Sequence, residues 1–397
     1  MNALRTALVL VLALVLASMF FSIAINSLSL GLCAVLWGVL MLGGKTWEVR
    51  RTPLDLVFLA YAAAELLAAA FSHDSAQAFL YAKRLLLIGL VYLLASVVRT
   101  ERRARRLTAV FLGAAVLVAC AGMVKLVVAD PATTVRLGIA QFYMTTAGQM
   151  MMAGLLLVPF VLHPGTPRAI RIAAGLGAVP VFAALYATVT RGAYLAAAAG
   201  LLCIALVRYR VLVVPLLVLL VAMVALAPPY ISDRIASIAD PAHPENAGRL
   251  LLWETGLRIL GDHPILGVGD IDLGETLRSY TTFTGEQWGH MHSMPMQFLV
   301  TLGIVGTLAA FAMFIRIARV EWRIYRRVRK DWFAGSLALG ALAVSVGLQV
   351  NGLTEWSFGD QEVVLVFWTT VGLTLAAGET ASPANDTESW QPSPSSP

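Results

Sequence analysis

The chain has 397 residues, of which 59% are hydrophobic and only 13% are charged, and its formal net charge is +6. So few charged residues cannot cover the surface of a soluble protein of this size, which excludes a soluble enzyme and a soluble nucleic-acid-binding protein. The positive charge is expected instead beside a membrane, because membrane proteins carry excess Lys and Arg in their cytoplasmic connections.

Long apolar runs follow one another along nearly the whole chain, and runs of about twenty residues match the hydrocarbon thickness of a bilayer. They predict an all-α polytopic membrane protein with about twelve transmembrane helices. The first run is interpreted as an uncleaved transmembrane helix, because a second run follows within a few residues. The predicted spans are 6–25, 28–44, 54–72, 80–98, 107–129, 141–162, 170–189, 192–207, 211–230, 293–315, 333–350 and 361–378.

Lys and Arg are distributed unevenly between the connections that join these spans. With the N-terminus inside, 20 of the 29 Lys and Arg side chains fall in cytoplasmic connections and nine fall outside. This bias predicts that both termini are cytoplasmic.

The connection over residues 231–292, between spans nine and ten, is much longer than the others and lies on the predicted outer side. Connections of this length usually carry function. Within it, Asn246 is a candidate N-cap, an apolar stripe recurs at helical spacing, and His263-Pro264 ends the pattern. The stripe consists of Leu250, Trp253, Leu257 and Leu260. It predicts an amphipathic helix on the outer leaflet.

The chain accordingly divides into four parts. Residues 1–230 hold nine transmembrane helices, 231–292 form the outer loop, 293–378 hold three further transmembrane helices, and 379–397 form a disordered cytoplasmic tail rich in Ser and Pro. All three cysteines lie inside apolar runs, so neither a disulfide framework nor a cysteine metal site is predicted.

Arginine on the outer side runs against the general charge bias and therefore needs a reason. Arg191 lies at the start of span eight and Arg249 in the first turn of the loop helix, where free N–H groups and a guanidinium together favour an anion. We predict that both bind a pyrophosphate; the alternative is arginines that reach the lipid interface. Lys83, Arg84 and Arg136 either widen this basic surface for a polyanionic lipid or contact phospholipid headgroups.

Two histidines, His290 and His292, lie just before span ten, where Ser293 is a candidate N-cap and Pro295 fits the first turn. A helix N-terminus disfavours imidazolium, so a histidine there stays neutral and suits a general base. Two histidines at this spacing also suit a metal, but no third ligand is evident in the sequence.

Three carboxylates, Asp270, Asp272 and Glu65, are further candidates for a functional site. Asp270-Ile271-Asp272 has the spacing of a divalent-cation motif, but no nucleotide-binding domain surrounds it, so no metal site is predicted there. Glu65 lies inside span three, where a carboxylate is either functional or paired within the bundle.

Four short motifs occur in a fixed order between residues 190 and 300. They are Thr190-Arg191-Gly192-Ala193, Gly248-Arg249 with Trp253, the run from His263 to Gly269, and His290-Met291-His292-Ser293 followed by Gln297 and Leu299. Together with the long outer loop, they resemble the O-antigen ligase and polymerase superfamily. Family members often carry Asn where this chain has Ser293, which leaves the choice between His290 and His292 open.

The resemblance implies a metal-independent glycosyltransferase of the bacterial inner membrane, with several spans and an active site facing the periplasm. The donor implied is an O-antigen glycan on undecaprenyl pyrophosphate, the acceptor is a lipid A-core sugar, and no cofactor is implied. Carried over to this chain, Arg191 and Arg249 bind the pyrophosphate and His292 is the candidate base. His290 and Trp253 are added to the candidate substrate-binding residues Lys83, Arg84 and Arg136. Membrane lipids are expected as partners, and nucleic acid is not.

Two alternatives remain open from the sequence. One is an O-antigen polymerase, which shares the donor but uses a second undecaprenyl-pyrophosphate glycan as acceptor. The other is a lipid or solute transporter or flippase. A transporter predicts broken helices with mid-membrane charges in matching halves of the chain, and the sequence carries no such symmetry.

Overall fold

The computed structural model describes residues 2–43, 49–128, 136–226, 233, 236, 237, 240, 242–281 and 289–381. Within these residues the fold is built from helices and contains no strand. The predicted all-α class is confirmed.

The helices are numbered here in chain order. They are α1 (Asn2–Ser18), α2 (Ile23–Gly43), α3 (Asp55–Ala70), α4 (Ser75–Ala82), α5 (Gly89–Val97), α6 (Glu101–Val128), α7 (Tyr143–Leu162), α8 (Arg168–Ala187), α9 (Arg191–Arg208), α10 (Val213–Ala225), α11 (Pro244–Asp262), α12 (Gly274–Tyr280), α13 (Met294–Val328), α14 (Trp332–Gly352) and α15 (Gln361–Thr380). A 3-10 helix over Lys83–Ile88 joins α4 to α5, and another over Arg210–Leu212 precedes α10.

Each of the twelve predicted spans coincides with helix in the structure. Nine helical segments among the described residues are long and apolar enough to cross a membrane. The remaining three predicted spans coincide with the shorter apolar stretches Ala3–Ser18 and Arg210–Ala222 and with the 16-residue α3. The protein is therefore a multi-pass membrane protein.

Several span boundaries differ from those predicted: α1 ends at Ser18 and not at 25, α2 begins at Ile23 and not at 28, and α6 begins at Glu101 and not at 107. The span predicted over 80–98 begins at Ser75, where the Asp74 side chain caps the helix by accepting a hydrogen bond from the Gln77 N–H at 3.0 Å. The span predicted over 293–315 continues as helix to Val328, because arginines after residue 315 end the apolar signal without ending the helix. Of the predicted tail, Glu379 and Thr380 belong to α15, and residues 382–397 lie outside the described residues.

Helices α14 and α15 lie at the centre of the bundle and are almost wholly buried. Helix α14 packs against α7, α9 and α13, and α15 packs against α5. Helices α2 and α10 lie at the periphery and expose large apolar side chains such as Leu28, Leu42 and Val214. That arrangement suits a bundle surrounded by lipid, where exposed apolar surface carries no penalty.

A second, smaller apolar cluster carries α11 and α12 at one end of the bundle. In it, Leu252 and Ile259 of α11 pack with Leu277 of α12 and Val300 of α13. The stripe predicted for the loop helix is therefore not its buried face. Leu250 and Leu257 of that stripe are exposed.

Candidate active site

The connection after α11 interlocks with a break in α13. The Val268 and Gly269 N–H groups donate to the Val300 and Thr301 carbonyls, each at 2.9 Å, and the Ile304 N–H donates to the Pro264 carbonyl at 2.9 Å. Helix α13 leaves helical geometry at one residue within this contact, Gly303. The backbone hydrogen bonds that the break frees are thus satisfied by the connection.

Two glycines make this approach of two backbones possible. Gly267 and Gly303 have φ of 65° and 62°, in the left-handed region. A Cβ added to Gly267 would lie 2.5 Å from the Val300 carbonyl oxygen, and one added to Gly303 would lie 2.4 Å from the Ile265 carbonyl oxygen. The motif from His263 to Gly269 therefore has a structural function: it fixes the end of α11 against the start of α13.

The turn before α13 holds the two histidines. The Met291 N–H donates to Gln297 Oε1 at 2.8 Å, and Trp253 Nε1 donates to the Met291 carbonyl at 3.0 Å. His292 adopts a φ of 45°, which non-glycine residues rarely adopt and which often marks functional positions. Ser293 occupies the N-cap position as predicted, but its side chain makes no capping hydrogen bond.

Arg191 is the first residue of α9 and is buried, with 7% of its surface exposed. The preceding turn contains Val189 at a φ of 51°, an unusual conformation for a β-branched residue. Gly192, the residue after Arg191, approaches the connection after α14 so closely that a Cβ would lie 2.6 Å from Thr354 Oγ1. The strained turn and the close packing together fix where the Arg191 guanidinium lies.

The Arg191 guanidinium is held by groups around the start of α11. It donates to Ser237 Oγ at 2.6 Å, Glu245 Oε2 at 2.9 Å and Asn246 Oδ1 at 3.1 Å. Asn246 is therefore not the N-cap that the sequence predicts. Helix α11 begins two residues earlier, at Pro244, because proline suits a first turn, and Asn246 is free to bind Arg191.

Arg249 lies in the second turn of α11 as a consequence, so the predicted placement at the helix N-terminus is wrong. Its guanidinium lies 4.0 Å from Glu355 Oε2. The other oxygen, Glu355 Oε1, lies 3.6 Å from His292 Nδ1. Glu355, in the connection between α14 and α15, thus links the predicted phosphate-binding arginine to the predicted base.

Two adjoining pockets lie at these groups, and Glu245 and Arg249 line both of them. Arg136 lies 3.6 Å from Glu245 Oε1, and its guanidinium lies over the Tyr143 ring at 4.7 Å from the centroid. Arg136, Arg191 and Arg249 line the first pocket. The second pocket, of about 610 Å³, is lined by Arg249, Glu245 and His292.

Residues 176–311 match a protein family described as O-Antigen ligase. The match includes Arg191, Arg249, Trp253 and both histidines of the turn, and it confirms the resemblance drawn from the four motifs. No curated protein matches the chain.

His290 lies directly beside His292 in this turn. The two rings lie 4.2 Å apart between centroids, and the His292 N–H donates to His290 Nδ1 at 3.2 Å. Burial, followed by the effect of His292, lowers the pKa of His290 from 6.5 to about 4. His290 is therefore neutral near pH 7, and the main physical cause is burial rather than the helix dipole invoked from the sequence.

Glu355 supplies the third candidate ligand that the sequence does not reveal. Ligand atoms of His290, His292 and Glu355 all lie within 4.8 Å of one another. The Asp-x-Asp spacing forms no such group: Asp270 accepts a hydrogen bond from Arg84 at 2.7 Å, and Asp272 Oδ1 accepts one from the Gly274 N–H at 2.8 Å.

Lys83 and Arg84 lie apart from the arginine pocket. The earlier start of α4 places them in the 3-10 helix inside a long helical segment, and not near a span start as predicted. Arg84 pairs with the buried Asp270, whose pKa is raised by burial, while Lys83 is exposed. A separate cavity is lined by Glu65, Arg84 and Asp270. Glu65 therefore lies near charged side chains from outside its own helix.

Six of the eight predicted site residues thus lie around two adjoining pockets and the turn beside them: Arg136, Arg191, Arg249, Trp253, His290 and His292. Sequence reasoning missed Glu245 and Glu355, which connect them. Glu355 follows Thr354, where α14 has ended, and a carboxylate left at the end of an apolar run was the available signal.

Proposed function

We propose that the protein is an O-antigen ligase. It transfers a glycan from undecaprenyl pyrophosphate to a sugar hydroxyl of the lipid A-core, without a metal and with inversion, at the periplasmic face of the bacterial inner membrane. The observation that carries the proposal is that Arg191, Arg249 and His292, which come from three distant segments, line two adjoining pockets that share Arg249.

The pyrophosphate of the donor would bind where the guanidiniums of Arg136, Arg191 and Arg249 converge. Among the described residues, the ion pairs of these three cations involve two carboxylates, Glu245 and Glu355, which leaves one positive charge in excess there. Helix α9 adds its N-terminus, which has no side-chain cap and therefore suits an anion. Fixed donors around a leaving group stabilise the charge that develops as its bond breaks.

The acceptor hydroxyl would be activated by His292. A proton on Nδ1 would point toward Glu355 Oε1, 3.6 Å away, and the lone pair would then lie on Nε2. His292 Nε2 takes the hydroxyl proton as the acceptor oxygen bonds to the anomeric carbon. The bond from that carbon to the pyrophosphate oxygen breaks, and undecaprenyl pyrophosphate leaves from the opposite face. A single displacement of this kind inverts the anomeric centre.

The topology required for this chemistry follows from the loop charges. Because 20 of the 29 Lys and Arg fall on one side, we assign that side to the cytoplasm and residues 231–292 to the periplasm. The four-part division of the chain at residues 230, 292 and 378 is proposed on the same basis.

The break in α13 argues against a transporter. The break at Gly303 is filled by backbone hydrogen bonds from residues 264–269 and not by charged side chains. In transporters, broken helices usually present free backbone groups to the transported ion.

The test is a competition between two acceptors. Purified protein in EDTA is incubated with undecaprenyl-pyrophosphate glycan, and either lipid A-core or no further acceptor is added. We expect the glycan to be joined to lipid A-core. Extension of the prenyl-linked glycan alone would identify a polymerase, and dependence of transfer on added Mg²⁺ would contradict the metal-independent mechanism.

A further inference from the structure

The turn before α13 and the connection after α14 bring together two imidazoles and one carboxylate. Bonds of 2.0–2.1 Å in a tetrahedral zinc site require ligand atoms roughly 3.4 Å apart. His292 Nδ1 and Glu355 Oε1 are 3.6 Å apart, and all three ligand atoms lie within 4.8 Å of one another. Small side-chain rotations are therefore enough to reach coordination geometry.

The lone pairs needed for coordination are available in this arrangement. His292 Nδ1 is buried and makes no hydrogen bond among the described residues. His290 uses Nδ1 to accept the His292 N–H, which leaves its Nε2 for a ligand. Glu355 turns one oxygen toward Arg249 and the other toward His292, so Oε1 is the oxygen directed at the histidines.

The backbone between the two histidines is fixed by hydrogen bonds before any cation binds. Gln297 and Trp253 each bind the backbone of Met291, the residue between them. Preorganised ligands lose little freedom when a cation binds.

We propose that His290, His292 and Glu355 form an inhibitory site for a divalent transition-metal ion such as Zn²⁺. Two imidazoles and a carboxylate are a donor set that zinc uses, with remaining positions for water. Mg²⁺ and Ca²⁺ prefer oxygen ligands and are not expected to bind there.

The inhibitory part of the inference rests on the proposed function and follows from proton positions. A neutral imidazole carries one proton. When His292 Nδ1 binds a metal, that proton must lie on Nε2, so Nε2 becomes a donor and cannot take the proton of an acceptor hydroxyl. The metal also occupies the Glu355 oxygen that faces His292. A bound ion thus removes the base, and none of its three ligands is an arginine of the proposed pyrophosphate site.

Arg249 distinguishes this site from nonspecific surface binding. Its guanidinium lies 4.0 Å from Glu355 Oε2 and repels a cation on the other oxygen. Arg249→Gln should therefore bind the metal more tightly than the wild-type protein does, although it weakens donor binding.

The experiment measures metal binding directly. The protein carries a purification tag without histidine, is stripped with EDTA, and is titrated with Co²⁺, whose visible absorption reports coordination, and then with competing Zn²⁺. We expect one tightly bound ion per chain. His290→Ala and Glu355→Gln should weaken binding by more than the roughly 10–100-fold that loss of an outer-shell partner costs. His73→Ala, which removes an exposed histidine elsewhere, should bind as the wild type does.

Each outcome decides the question. Binding that persists in both His290→Ala and Glu355→Gln, or that is lost in His73→Ala, would overturn the site, as would no binding at all. Glu355→Gln preserves side-chain size, and its elution as a monodisperse species in detergent separates lost ligation from lost folding. Zn²⁺ should also inhibit transfer reversibly, with recovery in EDTA. If the protein has no transferase activity, the Co²⁺ titration still tests the site.

Discussion

Glu245 makes a quantitative test of the pyrophosphate pocket possible. Its carboxylate accepts a hydrogen bond from Arg191 at 2.9 Å and lies 3.6 Å from Arg136. A carboxylate between two guanidiniums occupies the position that a donor phosphate would take. We therefore expect Glu245→Gln to bind the donor more tightly, because the phosphate no longer displaces a charged competitor.

The size of the effect follows from the exposure of the pair. The Glu245 side chain is 41% exposed, so solvent screens both contacts. Exposed ion pairs contribute roughly 0.5–1 kcal/mol each, which gives about 1–2 kcal/mol for two. Donor affinity should rise about 5–30-fold, since 1.4 kcal/mol corresponds to tenfold. Glutamine retains an oxygen that accepts from Arg191, so α11 stays anchored.

The assay is the equilibrium dissociation constant of a short-chain prenyl-pyrophosphate glycan. Glu254→Gln is the matched control, because it removes the same charge from the same helix at a carboxylate that pairs with Arg258 at 2.7 Å outside the pocket. An equal gain in donor affinity in both variants would show that the effect comes from the change in net charge and not from the pocket. Unchanged or weaker binding in Glu245→Gln would refute the idea that this carboxylate holds the place of a phosphate.

Three further predictions test the two proposed pyrophosphate-binding arginines, the topology and the buried histidine. Arg191→Lys and Arg249→Lys should each weaken donor binding, because lysine lacks the planar fork of guanidinium donors. Wild-type donor dissociation constants in both variants would show that these arginines do not bind the pyrophosphate. Ala242→Cys, in a protein whose native cysteines are replaced, should react with an impermeant thiol reagent in intact spheroplasts, and reaction only after lysis would reverse the topology. The pKa of His290 is lowered to about 4, so the unfolded chain binds its proton first and stability should fall as pH drops from about 6.5 toward 4. His290→Gln should flatten that fall in a thermal denaturation series, and an unchanged pH dependence would contradict the burial argument.

Much of the fold follows from local sequence signals. Apolar runs predicted the helices, and Thr190-Arg191-Gly192 predicted the division between α8 and α9, because a bilayer limits the length of a span. Helix ends were less predictable where a helix continues beyond its apolar residues. Helix α13 continues through arginines that end the apolar run.

The connections between site residues were not predictable from the sequence. Glu355 lies beside His292 although they are 63 positions apart in the sequence, and Arg84 contacts Asp270 at a separation of 186 positions. Neither pair lies within the few residues over which periodicity carries information. The break at Gly303 was also missed, because a lone glycine in an apolar run is compatible with an unbroken helix.

The central claim is that separate groups bind the leaving pyrophosphate and activate the acceptor. The most direct measurement compares the transfer rate and the donor dissociation constant of His292→Ala with those of the wild type, in preparations matched for detergent stability. Loss of a general base should lower the rate roughly 100-fold or more and leave donor affinity unchanged, since the base acts in the transition state. A stable His292→Ala protein that transfers glycan at the wild-type rate would contradict this account.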